Sequence, residues 1–270
     1  MLYLHKLGSF MDYKKYFDSE EVQKHARIIC ELARECWELG ISDSTGFSIS
    51  QVIPGTEFVL VDKSGTGFRR NKIQTSDLLL IDKNAELLYR PDADNPRLAP
   101  VNIAIHLEGF KASDAKGCIH WHDPYTNAFS CYGKTIHPLT LQSKLIGDIP
   151  CVMIDDRKQK ALAVETGDVP NVPSGLHCRA DVFFVMKQVG EAVGTILKER
   201  NEEFERHGIA ISHYEHGLFT FGRSVEEAFE NGYRAIRNAQ TIIYSRLLEN
   251  YPDEKGRENA GPGDASIISG

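Results

Sequence analysis

Two histidines have the spacing expected of ligands to one metal ion, and a third elsewhere in the chain could complete the site. His120 and His122 lie two residues apart in a segment, residues 118–122, that is otherwise apolar and β-prone. In a β-strand, side chains at i and i+2 point to the same face, so both imidazoles can meet one ion. His216 can supply a third nitrogen, because Gly217 after it permits close backbone approach. Three imidazoles with an open position are typical of a catalytic metal site.

Spacing alone leaves other interpretations open. A histidine pair of this kind also occurs as hydrogen-bonded core or surface residues, with Trp121 in the core. Cys118 lies on the same strand face and could be a fourth ligand, although a packed thiol is the commoner role. His213 and Glu215 lie next to the third histidine and could supply protons. A carboxylate there could instead orient a metal-bound imidazole.

The elements that position these residues alternate between helix and strand. Asp18 or Ser19 can cap a first helix, whose apolar residues recur at three- and four-residue steps until Gly40. Ser224 and Glu227 have the spacing of a capping box for a last helix ending near residue 248. Strands are predicted at 46–52, 57–61, 78–81, 86–89, 118–122, 150–154, 209–211 and 218–221. Further helices are predicted at 102–110, 125–131 and 182–206, with a polar connection after 154 and a loop at 165–180.

Composition bounds the class of protein. The 270 residues are 41% hydrophobic and 26% charged, which allows one large domain spanning 1–270. The net charge of −7 argues against nucleic acid as a partner, and Arg69-Arg70 is interpreted as a solvated turn, with a substrate carboxylate as the alternative contact. The sequence contains no run of about 18 apolar residues, so no membrane partner is expected. Six scattered cysteines without a CxxC pair favour a reducing, cytoplasmic location. The polar tail at 252–270 is expected to be mobile.

The order of motifs resembles the class II aldolase/adducin family. Residues 46–50 (GFSIS) resemble its GNxS turn, and residues 61–65 resemble its second substrate loop. His120 to Tyr125 (HWHDPY) resembles the HxHxPY segment of the family. His216-Gly217, then Gly222, then Glu227-Ala228 resemble the third ligand and the helix after it. The resemblance runs in the same order from about residue 20 to residue 248.

This resemblance implies an α/β fold with a central mixed, mostly antiparallel, nine-stranded sheet flanked by helices. It also implies a homotetramer with active sites at subunit interfaces. One divalent ion (zinc, manganese or iron, with cobalt as a further candidate) would be held by His120, His122 and His216. The family includes sugar-phosphate aldolases, an epimerase, dehydratases and decarboxylases, in which the ion acts as a Lewis acid on a carbonyl.

The sequence departs from the pattern of the sugar-phosphate aldolases at the positions that bind phosphate and at the position that transfers a proton. Asn102 stands where the aldolases carry a catalytic glutamate, and an amide cannot shuttle protons. Pro100 and Val101 replace two phosphate-binding serines, and Phe47 replaces an asparagine. A phosphate dianion needs several donors at once, so these losses argue against a sugar phosphate. The candidate catalytic residues are Asn102, His213 and Glu215, and the candidate substrate-binding residues are Phe47, Ser48, Ser64, Gly65 and Tyr125.

Three functions fit these residues. The first is a metal-dependent carbon–carbon lyase, a decarboxylase ahead of an aldolase, acting on a small non-phosphorylated carboxylate or 2-oxo acid, which Phe47 suggests is aromatic. The second is a non-haem Fe(II) oxygenase that oxidatively decarboxylates an aromatic 2-oxo acid, since three neutral histidines leave positions for substrate and oxygen. The third is a non-catalytic scaffold like adducin, against which the retained histidines speak.

Overall fold

A computed structural model describes residues 11–41, 47–65, 70–167 and 170–248. The tail at 252–270, Gly46 and Arg69 therefore lie outside the described residues. The strands are β1 (Ser48–Val52), β2 (Val59–Asp62), β3 (Leu78–Ile81), β4 (Leu87–Tyr89), β5 (Gly117–Trp121), β6 (Cys151–Val152), β7 (Ile209–His213) and β8 (Gly217–Gly222). The helices are α1 (Tyr13–Phe17), α2 (Glu20–Glu38), α3 (Ile103–Ala112), α4 (Pro124–Ser130), α5 (Asp156–Thr166), α6 (Ala180–Glu199) and α7 (Val225–Leu248).

One mixed sheet of eight strands runs through these elements in the order β4-β3-β2-β1-β5-β8-β7-β6. All neighbouring strands are antiparallel except β6 and β7, which are parallel. The mixed, mostly antiparallel α/β architecture is confirmed, but the nine strands expected are wrong for the described residues. Two further pairs of segments, Ile136 against Ile149 and Ala99 against Leu176, make only isolated bridges and do not extend into a further strand.

Helices cover both faces of the sheet because side chains alternate along each strand. On β5, Ile119 and Trp121 pack into the core that α2 and α7 share with the sheet. Cys118 packs into the opposite core, formed with α3 and α6, and burial raises the pKa of its thiol well above the usual range. His120 alternates with Ile119 and Trp121 and so lies on the same face as Cys118.

The end signals of the outer helices act largely as the sequence predicts. The Ser19 hydroxyl caps α2 by accepting from the Val22 amide at 3.5 Å. At α7 the Ser224 hydroxyl accepts from the Glu227 amide at 3.3 Å. The reciprocal bond differs from a capping box, since the Glu227 carboxylate accepts from the amide of Arg223, one residue earlier, at 2.6 Å. No helix in the described part of the chain is long and apolar enough to cross a membrane.

Two helical predictions need correction. The long helix predicted to reach residue 206 ends at Glu199, and a 3-10 turn, Asn201–Glu205, follows it. The polar connection after β6 contains a full helix, α5, which the hydrophobic pattern could not reveal because only Ala163 of it is buried. Asp155 starts α5 by accepting backbone hydrogen bonds at its first turn, and Gly167 ends it with a φ of 66°.

Candidate metal centre

Two adjacent antiparallel strands bring the three predicted histidines together. His120 lies within β5, and His122 follows the end of that strand. His216 immediately precedes β8, whose residue Leu218 is paired with Trp121 of β5. One ring nitrogen from each histidine can be chosen so that all three lie within 4.8 Å of one another. The ring planes of His122 stand at 87° to His120 and 82° to His216, so their in-plane lone pairs can converge.

One ring nitrogen of His120 is hydrogen-bonded to the backbone, and the other can bind a metal ion. Its Nδ1 lies 3.1 Å from the Leu218 carbonyl, which can only accept, so the proton is assigned to Nδ1. The ring stacks on Phe219 at 4.1 Å between centroids. The opposite nitrogen, Nε2, is buried and has no hydrogen-bond partner among the described residues. A buried nitrogen acceptor in this state fits a metal ligand.

Burial keeps His120 in the form that a metal ion requires. Loss of hydration lowers its pKa well below the usual range, and repulsion from His122 and His216 lowers it further. A neutral imidazole presents a lone pair, whereas a protonated ring cannot bind an ion. The side chain of His216 is 21% exposed while that of His120 is fully buried, so the cluster opens to solvent on the His216 side.

Gly217 leaves the space that the cluster needs. A Cβ built on it would lie 2.8 Å from Cε1 of His120 and 2.9 Å from Cδ2 of His122, and closer still to the Trp121 carbonyl. Any larger residue would therefore push two of the three rings or part the strands. The close backbone approach predicted for Gly217 from its place after His216 is confirmed.

A fourth histidine packs against Phe219, the ring on which His120 also stacks. His106 of α3 is fully buried, with its Nε2 3.1 Å from the Ser48 hydroxyl and its Nδ1 2.8 Å from the Ser50 hydroxyl. Burial lowers its pKa to about 3, so the ring is neutral near pH 7. The ring also meets Phe219 edge-on, at 6.0 Å between centroids. Ser48, a predicted substrate contact, is engaged with this buried ring.

Each of the two predicted proton donors beside His216 makes a contact with another protein group. His213 is fully buried, and its Nε2 donates to the Ile154 carbonyl at 3.1 Å. Burial and repulsion from His216 lower its pKa to about 4, against the opposing effects of Asp156 and that carbonyl. Glu215 has a φ of 52°, and its carboxylate is paired with Arg157 at 2.8 Å.

The sequence interpretation missed a carboxylate beside the cluster. Asp156, the first residue of α5, places Oδ2 3.5 Å from Nδ1 of His216 and Oδ1 3.4 Å from Nε2 of His213. Burial raises its pKa, but the hydrogen bond from His216 and the charges of both histidines outweigh burial, and the net shift is downward. A signal existed, because two aspartates, Asp155 and Asp156, follow the end of a short strand.

Arg70 does not lie where the sequence interpretation placed it, and Phe47, whose role in substrate binding stays a prediction, is buried beside it. The Phe47 ring is 5% exposed and packs edge-on against Trp121. The Arg70 guanidinium lies over the Phe47 ring at 3.7 Å and is 3.7 Å from the Asp62 carboxylate. The solvated turn expected for Arg70 is therefore wrong, because its side chain is 2% exposed. Stacking on an aromatic face offsets part of the cost of burying a guanidinium.

The remaining candidate residues are spread over three elements. Ser64 and Gly65 follow β2, where the Gly65 carbonyl accepts from Arg97 at 3.1 Å. Asn102 is half-buried at the start of α3, and its carbonyl accepts from the Ile105 amide at 2.9 Å. The Tyr125 hydroxyl accepts from Gln240 of α7 at 3.1 Å. Their roles in substrate binding and catalysis stay predictions.

Comparison with known proteins gives one family and one fold. The sequence model of the family described as Class II Aldolase and Adducin N-terminal domain matches residues 27–243. The structure is similar to an L-fuculose-1-phosphate aldolase from Thermus thermophilus, with a TM-score of 0.61 and 17% identity over 86% of this chain and 98% of that one. It is also similar to an L-fuculose 1-phosphate aldolase from Glaciozyma antarctica, with a TM-score of 0.61 and 15% identity over 90% and 82% of the two chains.

A third solved structure has a similar fold. An aldolase II superfamily protein from Pseudomonas syringae matches with a TM-score of 0.56 and 16% identity over 92% of this chain and 86% of that one. At such low identity these likenesses show the fold and leave the reaction and substrate of this chain open. The expected class II aldolase fold is confirmed.

Proposed function

Because this chain belongs to the class II aldolase and adducin family, we propose that it is a metal-dependent lyase acting on a carbon–carbon bond of a small carboxylate. The observation that carries the proposal is the convergence of His120, His122 and His216 within 4.8 Å. The buried Nε2 of His120, held ready by a backbone carbonyl, supports a metal in that position. The large majority of buried polar atoms have a hydrogen-bond partner, so an unpartnered ring nitrogen favours a ligand role.

The residues present fit a divalent ion with borderline ligand preferences. Neutral imidazole suits zinc and iron best, with cobalt and manganese as further candidates, and three such ligands leave positions for substrate. An ion bound there would polarise a substrate carbonyl and stabilise the negative charge that develops when a carbon–carbon bond breaks. The protein contributes the arrangement, since Leu218 and Phe219 fix His120 and Gly217 keeps the rings close.

The choice of a non-phosphorylated substrate rests on what replaces the phosphate donors. Pro100 has no N–H and Val101 has no hydroxyl, and the ring of Phe47 is packed against Trp121. We propose a carboxylate or 2-oxo acid, and decarboxylation ahead of aldol cleavage, because Asn102 cannot move a proton as a carboxylate does. The buried position of Phe47 gives no support to an aromatic substrate.

The first experiment measures the metal. The protein is purified without added metal and analysed for elements, beside His120→Ala, His122→Ala and a control, His137→Ala, which removes an exposed histidine. We expect about one ion per chain in the wild type and the control, and its loss in the two ligand variants. A wild type that retains no ion and cannot be reloaded would remove the catalytic centre and favour an adducin-like scaffold.

The second experiment measures the reaction with the metal-loaded protein. Carbon dioxide release and aldehyde formation are followed with a panel of 2-oxo acids and hydroxy acids, and with sugar phosphates in parallel. Robust turnover of a sugar phosphate would show that the substrate assignment is wrong. Strict dependence on oxygen, with iron as the retained metal, would assign the oxygenase instead of the lyase. We also propose a homotetramer with sites at the subunit interfaces, which sedimentation in solution tests.

A further inference from the structure

We propose that Asp156 is a positioning residue that holds the third metal ligand, His216, in its binding orientation; this inference rests on the proposed metal site. Asp156 belongs to α5, an element that carries none of the three histidines. Its Oδ2 lies 3.5 Å from Nδ1 of His216, on one edge of the ring. The nitrogen on the other edge is then the one that can turn to an ion.

The Asp156 carboxylate lies beside Nδ1 of His216, as the Leu218 carbonyl lies beside Nδ1 of His120. In His120 the Leu218 carbonyl accepts from Nδ1, which fixes the tautomer and leaves Nε2 available. A carboxylate partner does the same and, by its charge, also makes the opposite nitrogen a stronger donor to a metal. His216 needs such a partner more than His120, since its side chain is 21% exposed whereas His120 is fully buried.

A side-chain ion pair joins the first turn of α5 to the turn that carries His216. Asp155 accepts from the amides of Arg157 at 3.0 Å and Lys158 at 3.3 Å, which fixes the first turn of α5. The Arg157 guanidinium then reaches Glu215, the residue before His216, at 2.8 Å. Because β6 and β7 are parallel, their carboxyl ends lie side by side, and α5 starts four residues after β6. The pairing of β6 with β7 and the start of α5 thus place the Asp156 carboxylate beside His216.

A competing arrangement would make Asp156 itself a ligand, together with His213 and His216. Ligand atoms of these three residues also lie within 4.8 Å of one another. However, the rings of His213 and His216 are nearly parallel, at 26° with centroids 5.1 Å apart, an arrangement that favours two in-plane lone pairs meeting at one ion less than the nearly perpendicular rings of His120 and His122 do. Nε2 of His213 is also occupied by the Ile154 carbonyl. The geometry therefore favours the positioning role.

The test is the substitution Asp156→Asn, which keeps the shape and removes the charge. Affinity for zinc is measured by competition with a chromogenic chelator, and the visible absorption of the cobalt-loaded protein reports the ligand set. The matched control is Glu165→Gln, which removes one negative charge from the exposed end of the same helix. We expect Asp156→Asn to bind zinc about 10–100-fold more weakly, with a shifted cobalt spectrum of unchanged ligand number, and the control to bind as the wild type does.

The outcomes separate the inference from the proposed function. If the wild type binds no zinc, the metal site itself is refuted. If the wild type binds zinc and Asp156→Asn binds it equally well with the same cobalt spectrum, the metal site stands and the positioning role is wrong. A cobalt spectrum showing one ligand fewer in Asp156→Asn would also overturn the positioning role, since Asp156 would then be a ligand. The thermal midpoint of the metal-free variant, matched to the control, shows that folding is intact.

Discussion

Acidification should destabilise this protein through His106, and the structure gives the size of the effect. The ring is fully buried between the hydroxyls of Ser48 and Ser50, and burial lowers its pKa from 6.5 to about 3. A folded-state pKa below the unfolded one means that the unfolded chain takes up a proton first as the pH falls. Stability from this group is therefore complete above pH 6.5 and is lost progressively towards pH 3.

The magnitude follows from the distance in pH. At pH 5 the unfolded histidine has been titrated through about 1.5 pH units while the folded ring stays neutral. Each unit corresponds to 1.36 kcal/mol, so the free energy of unfolding falls by about 2 kcal/mol between pH 7.5 and pH 5 from His106 alone. That is a large part of the 5–15 kcal/mol typical of a domain.

The assay compares urea unfolding at the two pH values for the metal-free wild type, His106→Gln and the exposed-site control His137→Gln. Other buried groups, His213 among them, are common to all three proteins and cancel in the comparison. The wild type and the control should lose about 2 kcal/mol more on acidification than His106→Gln does. Equal losses in the wild type and His106→Gln would show that the ring takes up its proton in the folded state and that the reasoning from burial is wrong.

Two further substitutions test packing around the site. Gly217→Ala places a Cβ against His120 and should weaken zinc binding at least about tenfold in the chelator assay, because the ligands must be held near their productive geometry; unchanged affinity would mean that the strands part at little cost. Arg70→Ala removes the buried partner of Asp62 and should lower the free energy of unfolding by about 3–5 kcal/mol in urea, whereas Lys83→Ala, at an exposed ion pair, should cost less than about 1 kcal/mol. Similar losses in both variants would contradict the burial argument.

The parts of the fold that follow from periodicity could be predicted from the sequence. The two histidines of β5 share a face because strands alternate, and α2 buries one side because its apolar residues recur at helical steps. The order of motifs then placed His216 with them. Each of these predictions depends on a pattern that is local or is repeated along one element.

What the sequence did not reveal depends on contacts between distant segments. Helix α5 buries only Ala163, so its sequence has no apolar face from which a helix could be predicted. Asp156 lies beside the cluster because β6 pairs with β7, which the sequence alone does not show. Arg70 looked like a surface residue until the ring of Phe47 was placed under its guanidinium. The eight strands predicted from the residue pattern match the number in the described sheet, whereas the nine implied by the family resemblance do not, because two further pairs of segments make only single bridges.

The placement of the ligands on two neighbouring strands has a consequence for how the chain folds. His120 faces the cluster only in the register that sets it opposite Phe219, and a slip of one residue between β5 and β8 would turn it to the other face. An ion that needs all three histidines would therefore bind the correctly paired sheet and leave slipped forms without its stabilisation. Metal binding would thus stabilise the correct register of β5 against β8 over slipped registers.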